Sequence, residues 1–235
     1  VGIVYICYQR IDRQFCEERL RMLEAVSSKV SKSAYIRFDM QWGHLEYSVK
    51  ILQSEAPENE ADLIEELQTI EQAFGFQENE GMLLLFDSNG YYYGTDGKGG
   101  LWGDQKILQM EQEYLLSVTN LPKEGHFGNF MVFFHRYDEP VEMGGVLFTH
   151  VALAREISIF DDDLELGDYS DTDSSFIIHK NGTRIYHQSN NDVFGNVYNV
   201  LKALESCEFR HGVTIEELRR QMVHNESGTA HLVYD

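Results

Sequence analysis

Apolar positions change their spacing several times along the chain, and each change marks an element. From Arg10 to about Lys32 there is no Gly or Pro, and good helix formers dominate. Cys16, Leu20, Leu23, Val26 or Ser27, and Val30 recur at intervals of three and four, a narrow helical stripe. Such a stripe suits either a coiled-coil seam or packing on the chain's own domain. Further helices are predicted over about 36–54 and 58–74, separated by Ala56-Pro57. In the second of these, Leu63, Ile64, Leu67, Ile70 and Phe74 form the apolar face, and the many carboxylates form a solvated one.

After Gly75 the period shortens to two, the spacing of a strand. Strands are predicted over 82–87 and 91–95, joined at Asn89-Gly90, and the Gly-rich stretch 94–100 reads as a flexible loop over a pocket. Helix returns near 105–118. Strands follow near 130–136 and 145–153, linked by a turn at Tyr137-Asp138-Glu139-Pro140, and then a helix near 154–164. A polar stretch, 167–173, reads as a boundary. Beyond it come a hairpin over 175–188 around Asn181-Gly182, helices near 196–206 and 214–224, and a strand near 229–234.

The two Asn-Gly hairpins organise this pattern. In each, an apolar β-rich run meets Asn-Gly, which supplies two residues tolerant of positive φ for a type I′ turn. Helix and a later strand follow both copies. The predicted fold is therefore α+β: a long N-terminal helix, then two units, each an antiparallel sheet flanked by helices. The boundaries fall at 1–35 for the N-terminal helix, 36–165 for the first unit and 166–235 for the second. The second unit shows one strand after its helices where the first shows two, so residues beyond Asp235 are expected to complete its sheet.

Composition narrows the function classes. With 43% hydrophobic and 12% aromatic residues the chain can build a packed core. Its net charge of −20 repels nucleic acid and anionic lipid headgroups. Cys7, Cys16 and Cys207 have neither a metal-binding spacing nor a readable disulfide framework. No run is apolar and long enough to span a membrane. Val1 to Tyr8 are uncharged and mostly apolar, however, and charge begins at Arg10, so the chain is expected to start close to the end of a transmembrane helix.

Enzymatic chemistry finds no support. The Gly-rich stretch lacks the Walker spacing, since Lys98 is followed by Gly99 and a hairpin precedes it. Asp87, Asn89 and Asp96 do not fit a calcium loop, and the histidines form no zinc-type pair. There is no Gly-x-Ser-x-Gly elbow. No catalytic residue, metal ligand or cofactor is predicted.

What stands out is an aromatic and polar cluster confined to the first unit. Alternation places Tyr91 with Tyr93, Phe134 with Arg136, and Phe148 with His150, each pair on one face of its strand. If those faces converge with Trp102, they form an apolar cup holding one cation and one imidazole, with Asp96 on the Gly-rich loop above. The candidate ligand-binding set is thus Tyr91, Tyr93, Asp96, Trp102, Phe134, Arg136, Phe148 and His150. Such a cup suits a small ligand with a carboxylate or polar head. Plain core packing with Arg136 at a strand end accounts for the same residues.

The runs LLLFDSNGYYYGTDGKGGLW, FMVFFHRYDEPVEMGGVLFTHVALAREI and SSFIIHKNGTRIYHQ, behind a long helix, resemble a double Cache sensor domain. Such domains are tandem PAS-like units outside the membrane in bacterial chemoreceptors, histidine kinases and diguanylate cyclases. Gly144–Ile157 resembles the strand that closes the membrane-distal unit, and Phe176–His187 resembles the opening hairpin of the proximal one. The resemblance implies a small-molecule ligand, such as a carboxylate or an amino acid, in the distal unit. It implies anchoring in the cell membrane by flanking helices outside this chain, with this region extracytoplasmic; homodimerisation through the N-terminal helix is expected only if the stripe of that helix is a coiled-coil seam. One departure is plain: Gly100-Leu101-Trp102-Gly103-Asp104 has no preceding Arg, so the Arg-x-x-Trp-Tyr arrangement of the amino-acid-binding subgroup is missing.

Overall fold

The computed structural model describes residues 2–76, 80–103, 107–109, 113–123, 126–160, 174–178, 181–189, 197–210, 214–224 and 231–233. The chain divides into two compact units, 35–160 and a second comprising 1–34 with 161–235.

Helix α1 runs unbroken over Gly2–Glu55, so the two helices expected near 10–32 and 36–54 are one. Nothing between them can stop it. No proline precedes Pro57, and the single interior glycine, Gly43, costs only about 1 kcal/mol. The apolar face continues past Gly43 through buried Leu45, Val49 and Leu52. The helix ends where Pro57 disfavours helical backbone at the preceding residue, and Ala56 there takes a φ of 43°. Helix α2, Glu60–Ala73, starts on Asn59, whose Oδ1 accepts from the Ala61 and Asp62 amides at 3.0 Å each. Leu63, Leu67 and Ile70 are its buried face, as the spacing predicts.

Six antiparallel strands follow: β1 Gly81–Asp87, β2 Tyr91–Gly94, β3 Gly97–Leu101, β4 Tyr114–Lys123, β5 His126–Met143 and β6 Val146–Glu156. Their order is β3-β2-β1-β6-β5-β4, so the last strand closes against the first and sits at the centre. Register sorts the side chains. Leu83, Leu153 and Phe133 are cross-strand partners on one face, and Leu84, Ala152 and Phe134 are partners on the other. The first face meets the helices: Phe133 packs edge-on against Phe38 and Trp42 of α1, at 6.0 and 4.9 Å. Glu71 of α2 accepts from the Leu83 amide at 2.7 Å. The second face carries its own core of Leu84, Phe86, Trp102, Leu121, Phe130, Val132, Phe134, Ala152 and Ala154, with Leu108 and Leu115 packed onto it.

Four local expectations change. Among its described residues, the helix predicted near 105–118 is a 3-10 turn at Ile107–Gln109 and the start of β4. Of the helix predicted near 154–164, residues 161–164 lie outside the described residues, and the rest is the end of β6 and a 3-10 turn at Ile157–Phe160, because Val151–Ala154 are buried on both faces of a central strand. The Gly-rich stretch is not a loop but contains β3, in which Gly99 leaves room for the Tyr92 ring. At both Asn-Gly turns only the glycine is left-handed, Gly90 at φ 84° and Gly182 at φ 85°, so neither is type I′. Asp87 shapes the first instead: its Oδ1 accepts from the Asn89 and Tyr91 amides at 2.8 and 3.0 Å.

In the other unit, β7 Ser174–Ile178 pairs with β8 Arg184–Ser189. Helices α3, Val200–Leu204, and α4, Ile215–Val223, flank a strand the sequence pattern had hidden, β9 Glu208–Arg210, which pairs with β10 His231–Val233. Val200, Leu204 and Cys207 form the core there, with Ile178, Phe209, Ile215 and Leu218 against them. Among the described residues these are two separate two-stranded sheets, so a second copy of the six-stranded arrangement is not seen.

Candidate functional site

Two irregularities in the central ladder build the site. Strands β5 and β6 pair through Arg136 and His150, then resume only at Val141 and Phe148. On the other side Phe86 pairs with His150 and Asp87 with Phe148, leaving Thr149 as an extra residue in β6. Residues 137–140, expected as a turn, are the unpaired stretch of β5, and Pro140, which has no N–H to donate, lies in it. Where the strands part, a cavity of about 400 Å³ opens on the face away from the helices. Asp87, Leu108, Arg136, Tyr137, Thr149 and His150 are among its walls.

His150 is only 3% exposed. Its Nδ1 lies 2.9 Å from Thr149 Oγ1, which is also 3.3 Å from the Phe86 carbonyl oxygen. In either tautomer Nε2 is left buried, with no hydrogen-bond partner among the described residues. Burial first, then the Arg136 charge, push the imidazole pKa down to about 4. The cavity thus brings together the Arg136 guanidinium, the carboxyl groups of Asp87 and Asp138 and an imidazole kept uncharged at neutral pH. Next to them on the same face, Trp102 packs edge-on against Phe86 at 5.1 Å and Phe134 at 5.8 Å. Charged and hydrogen-bonding groups thus ring a small volume beside an apolar wall, which is the chemistry of a site for a small polar ligand.

The eight sequence-derived candidates divide. Arg136 and His150 line the cavity together. Trp102 and Phe134 are core residues on the same face. Tyr93 and Phe148 are on the helix-facing side, 5.1 Å apart, because the extra Thr149 switches the face of every residue before it. Phe148 and His150 therefore do not share a face. Tyr91 lies at the exposed hairpin under the Lys98 ammonium, 4.4 Å from its ring centroid. Asp96 is exposed in the β2–β3 turn, and its charge helps raise the pKa of Glu71 on α2. Asp87, Leu108 and Thr149 were missed. Asp87 had a legible signal, an acidic residue two before Asn-Gly, whereas Thr149 had none.

Among the described residues no group of three or more His, Cys, Asp or Glu side chains converges as a metal site requires. No described helix is long and apolar enough to cross a membrane.

No protein-family model and no curated protein matches the chain. Solved structures do. The periplasmic sensory domain of the Campylobacter jejuni chemoreceptor Tlp1 matches with a TM-score of 0.54 at 12% identity, over 88% of this chain and 82% of that one. The sensory domain of the Campylobacter jejuni chemoreceptor Tlp3 with isoleucine bound matches with a TM-score of 0.51 at 8% identity, over 84% of each chain. The Tlp3 ligand-binding domain in complex with L-valine matches with a TM-score of 0.50 at 9% identity, over 84% of this chain and 85% of that one. At these identities the likeness is one of fold: this chain has the fold of bacterial chemoreceptor sensory domains, as the double Cache resemblance implies.

Proposed function

We propose that this chain, with the fold of chemoreceptor sensory domains, is the extracytoplasmic small-molecule-sensing region of a membrane-anchored bacterial signalling receptor. The observation that carries the reading is the cavity shared by Arg136, His150 and Asp87. Arg136 offers a fork for a carboxylate, and Asp87 offers an acceptor for an ammonium, so an amino acid or other small carboxylate fits the charge pattern. Tlp3 is described with isoleucine and with L-valine, which is the same ligand chemistry. The binding signal would pass by a shift between two packings of the six-stranded unit against α1. A thermal-shift screen of amino acids and small carboxylates tests this. A stabilising compound should emerge, and its effect should vanish in Arg136→Ala; stabilisation surviving that change would remove the site assignment.

A second reading, a ligand-free dimerising or protein-contact module, has its own support. Ile36, Met40, Gly43 and Tyr47 recur at intervals of four and three along α1, and the three large side chains are exposed. Sedimentation of the chain should then give a dimer that Met40→Lys dissociates. The open cavity favours the ligand reading, since the aromatics beside it do not fill it.

A further inference from the structure

The helix-facing side of the same bulged stretch holds a second concavity, which shares the Tyr137, Asp138 and Pro140 walls with the carboxylate site just described. Its volume is about 690 Å³, and Val49 and Gln53 of α1 face His135, Tyr137, Glu139 and Glu142 of β5 across it. The register tells their other walls apart: Arg136 pairs with His150 on the open face, whereas His135 pairs with Val151 on the helix face. Tyr137 follows His135 onto that side, its ring edge-on at 5.6 Å.

We propose that this groove is a binding site for an aliphatic diamine, whose one ammonium is taken by Tyr137 and His135 and the other by Glu139 and Glu142.

The inner end is built for a hydrogen-bond donor. Tyr137 is 5% exposed, and its hydroxyl is buried with no partner among the described residues. His135 Nδ1 beside it is also buried and unbonded, with Glu113 Oε1 no closer than 4.0 Å. Two buried polar atoms left without partners in one spot are uncommon, since each costs the desolvation of an unmade hydrogen bond. Both can accept, and an ammonium brings three donors. The charge agrees. Asp138, Glu139 and Glu142 stand exposed at the rim, and no lysine or arginine is among the lining residues. Burial lowers the pKa of His135 and raises that of Tyr137, so neither adds charge of its own at neutral pH. The groove is negative at its mouth, neutral and accepting within, and too large for a bare ion. Neutral acceptors, carboxylates and the apolar side chains of Val49 and Val141 in one groove suit two cations on a short alkyl chain.

A chain of net charge −20 attracts any polycation weakly, so the test must separate a built site from that background. Calorimetric titration of the whole chain with putrescine, at about 0.15 M salt where exposed charges are largely screened, is the measurement. Saturable one-to-one binding is expected. Tyr137→Phe, which leaves the charge untouched, and the double variant Glu139→Gln/Glu142→Gln should each weaken it about tenfold or more. Arg136→Ala, at the other cavity, and Glu65→Gln, on exposed α2 surface, should leave it unchanged. Butylamine, with one ammonium, should bind more weakly than putrescine. Absence of saturation overturns the proposal, as does equal weakening by Glu65→Gln or indifference to Tyr137→Phe. Because Arg136 lines the first cavity and not this one, failure here and failure of the carboxylate site are read separately.

Discussion

Arg136 and His150 are direct cross-strand partners, and after burial itself the Arg136 charge is the largest influence keeping the His150 imidazole neutral. The pair also marks the last rung before the ladder breaks, which is why a cavity opens beside it. The site and the bulges are one feature of the backbone.

The depressed pKa of His150 has a thermodynamic sign. The unfolded chain takes up the His150 proton near 6.5, the folded chain only near 4, so folding is penalised in the window between. Stability should therefore fall as pH drops from 6.5 toward 4, by up to ~3 kcal/mol from this group. His150→Gln should flatten that part of the profile in urea unfolding measured across pH.

Glu71 has the opposite sign. Burial, opposed by its bond from the Leu83 amide and helped by the Asp96 charge, raises its pKa to about 7. The unfolded carboxyl ionises near 4.5, so stability contributed by the protonated form is present below that pH and lost as pH rises through 7. Glu71→Gln keeps an oxygen for the Leu83 amide and needs no ionisation. It should stabilise the protein by roughly 1–3 kcal/mol at pH 8 and by little at pH 5.

Trp102 was a candidate ligand residue, and its position separates binding from folding. It is 3% exposed among Phe86, Phe134 and Tyr92. Trp102→Ala should cost about 3–5 kcal/mol in chemical denaturation, with or without ligand. Arg136→Ala should move the melting temperature by no more than a few degrees, roughly the effect of a 1 kcal/mol change or less.

Gly182 carries two demands at once. Its φ is 85°, and a Cβ there would lie 2.6 Å from Asn199 Oδ1 and 2.7 Å from Leu201 Cβ. The close approach lets the Gly182 carbonyl accept from the Val200 amide at 2.8 Å. Gly182→Ala should lose at least ~1 kcal/mol, seen as faster amide exchange at Arg184 and Val200, while β1–β6 stay protected.

Much of this was legible. The apolar face of α2 and the strands around both Asn-Gly pairs follow from period and turn residues alone; β5 and β6 were read as successive strands, but their turn, expected at 137–140, lies at Gly144-Gly145. Phe134 with Arg136 was placed on one face correctly because β5 stays regular up to Arg136. Phe148 with His150 was not, because one unpaired threonine inverts alternation and leaves no mark in composition. The turn type failed for a related reason: Asp87 supplies side-chain acceptance that removes the need for a left-handed Asn89. The helix expected near 105–118 failed because β4 wins from cross-strand pairing with β5, from Tyr114–His135 to Lys123–His126, a long-range term that local propensity does not contain.

The central claim is that a small ligand occupies the cavity between Arg136 and His150. Nitrogen-detected NMR of the histidine side chains, with the stabilising carboxylate from the screen added to saturation, tests it most directly. The unpartnered His150 Nε2 should shift on binding while the exposed imidazole of His224 does not. A ligand that saturates the protein yet leaves the His150 resonances unmoved would contradict it.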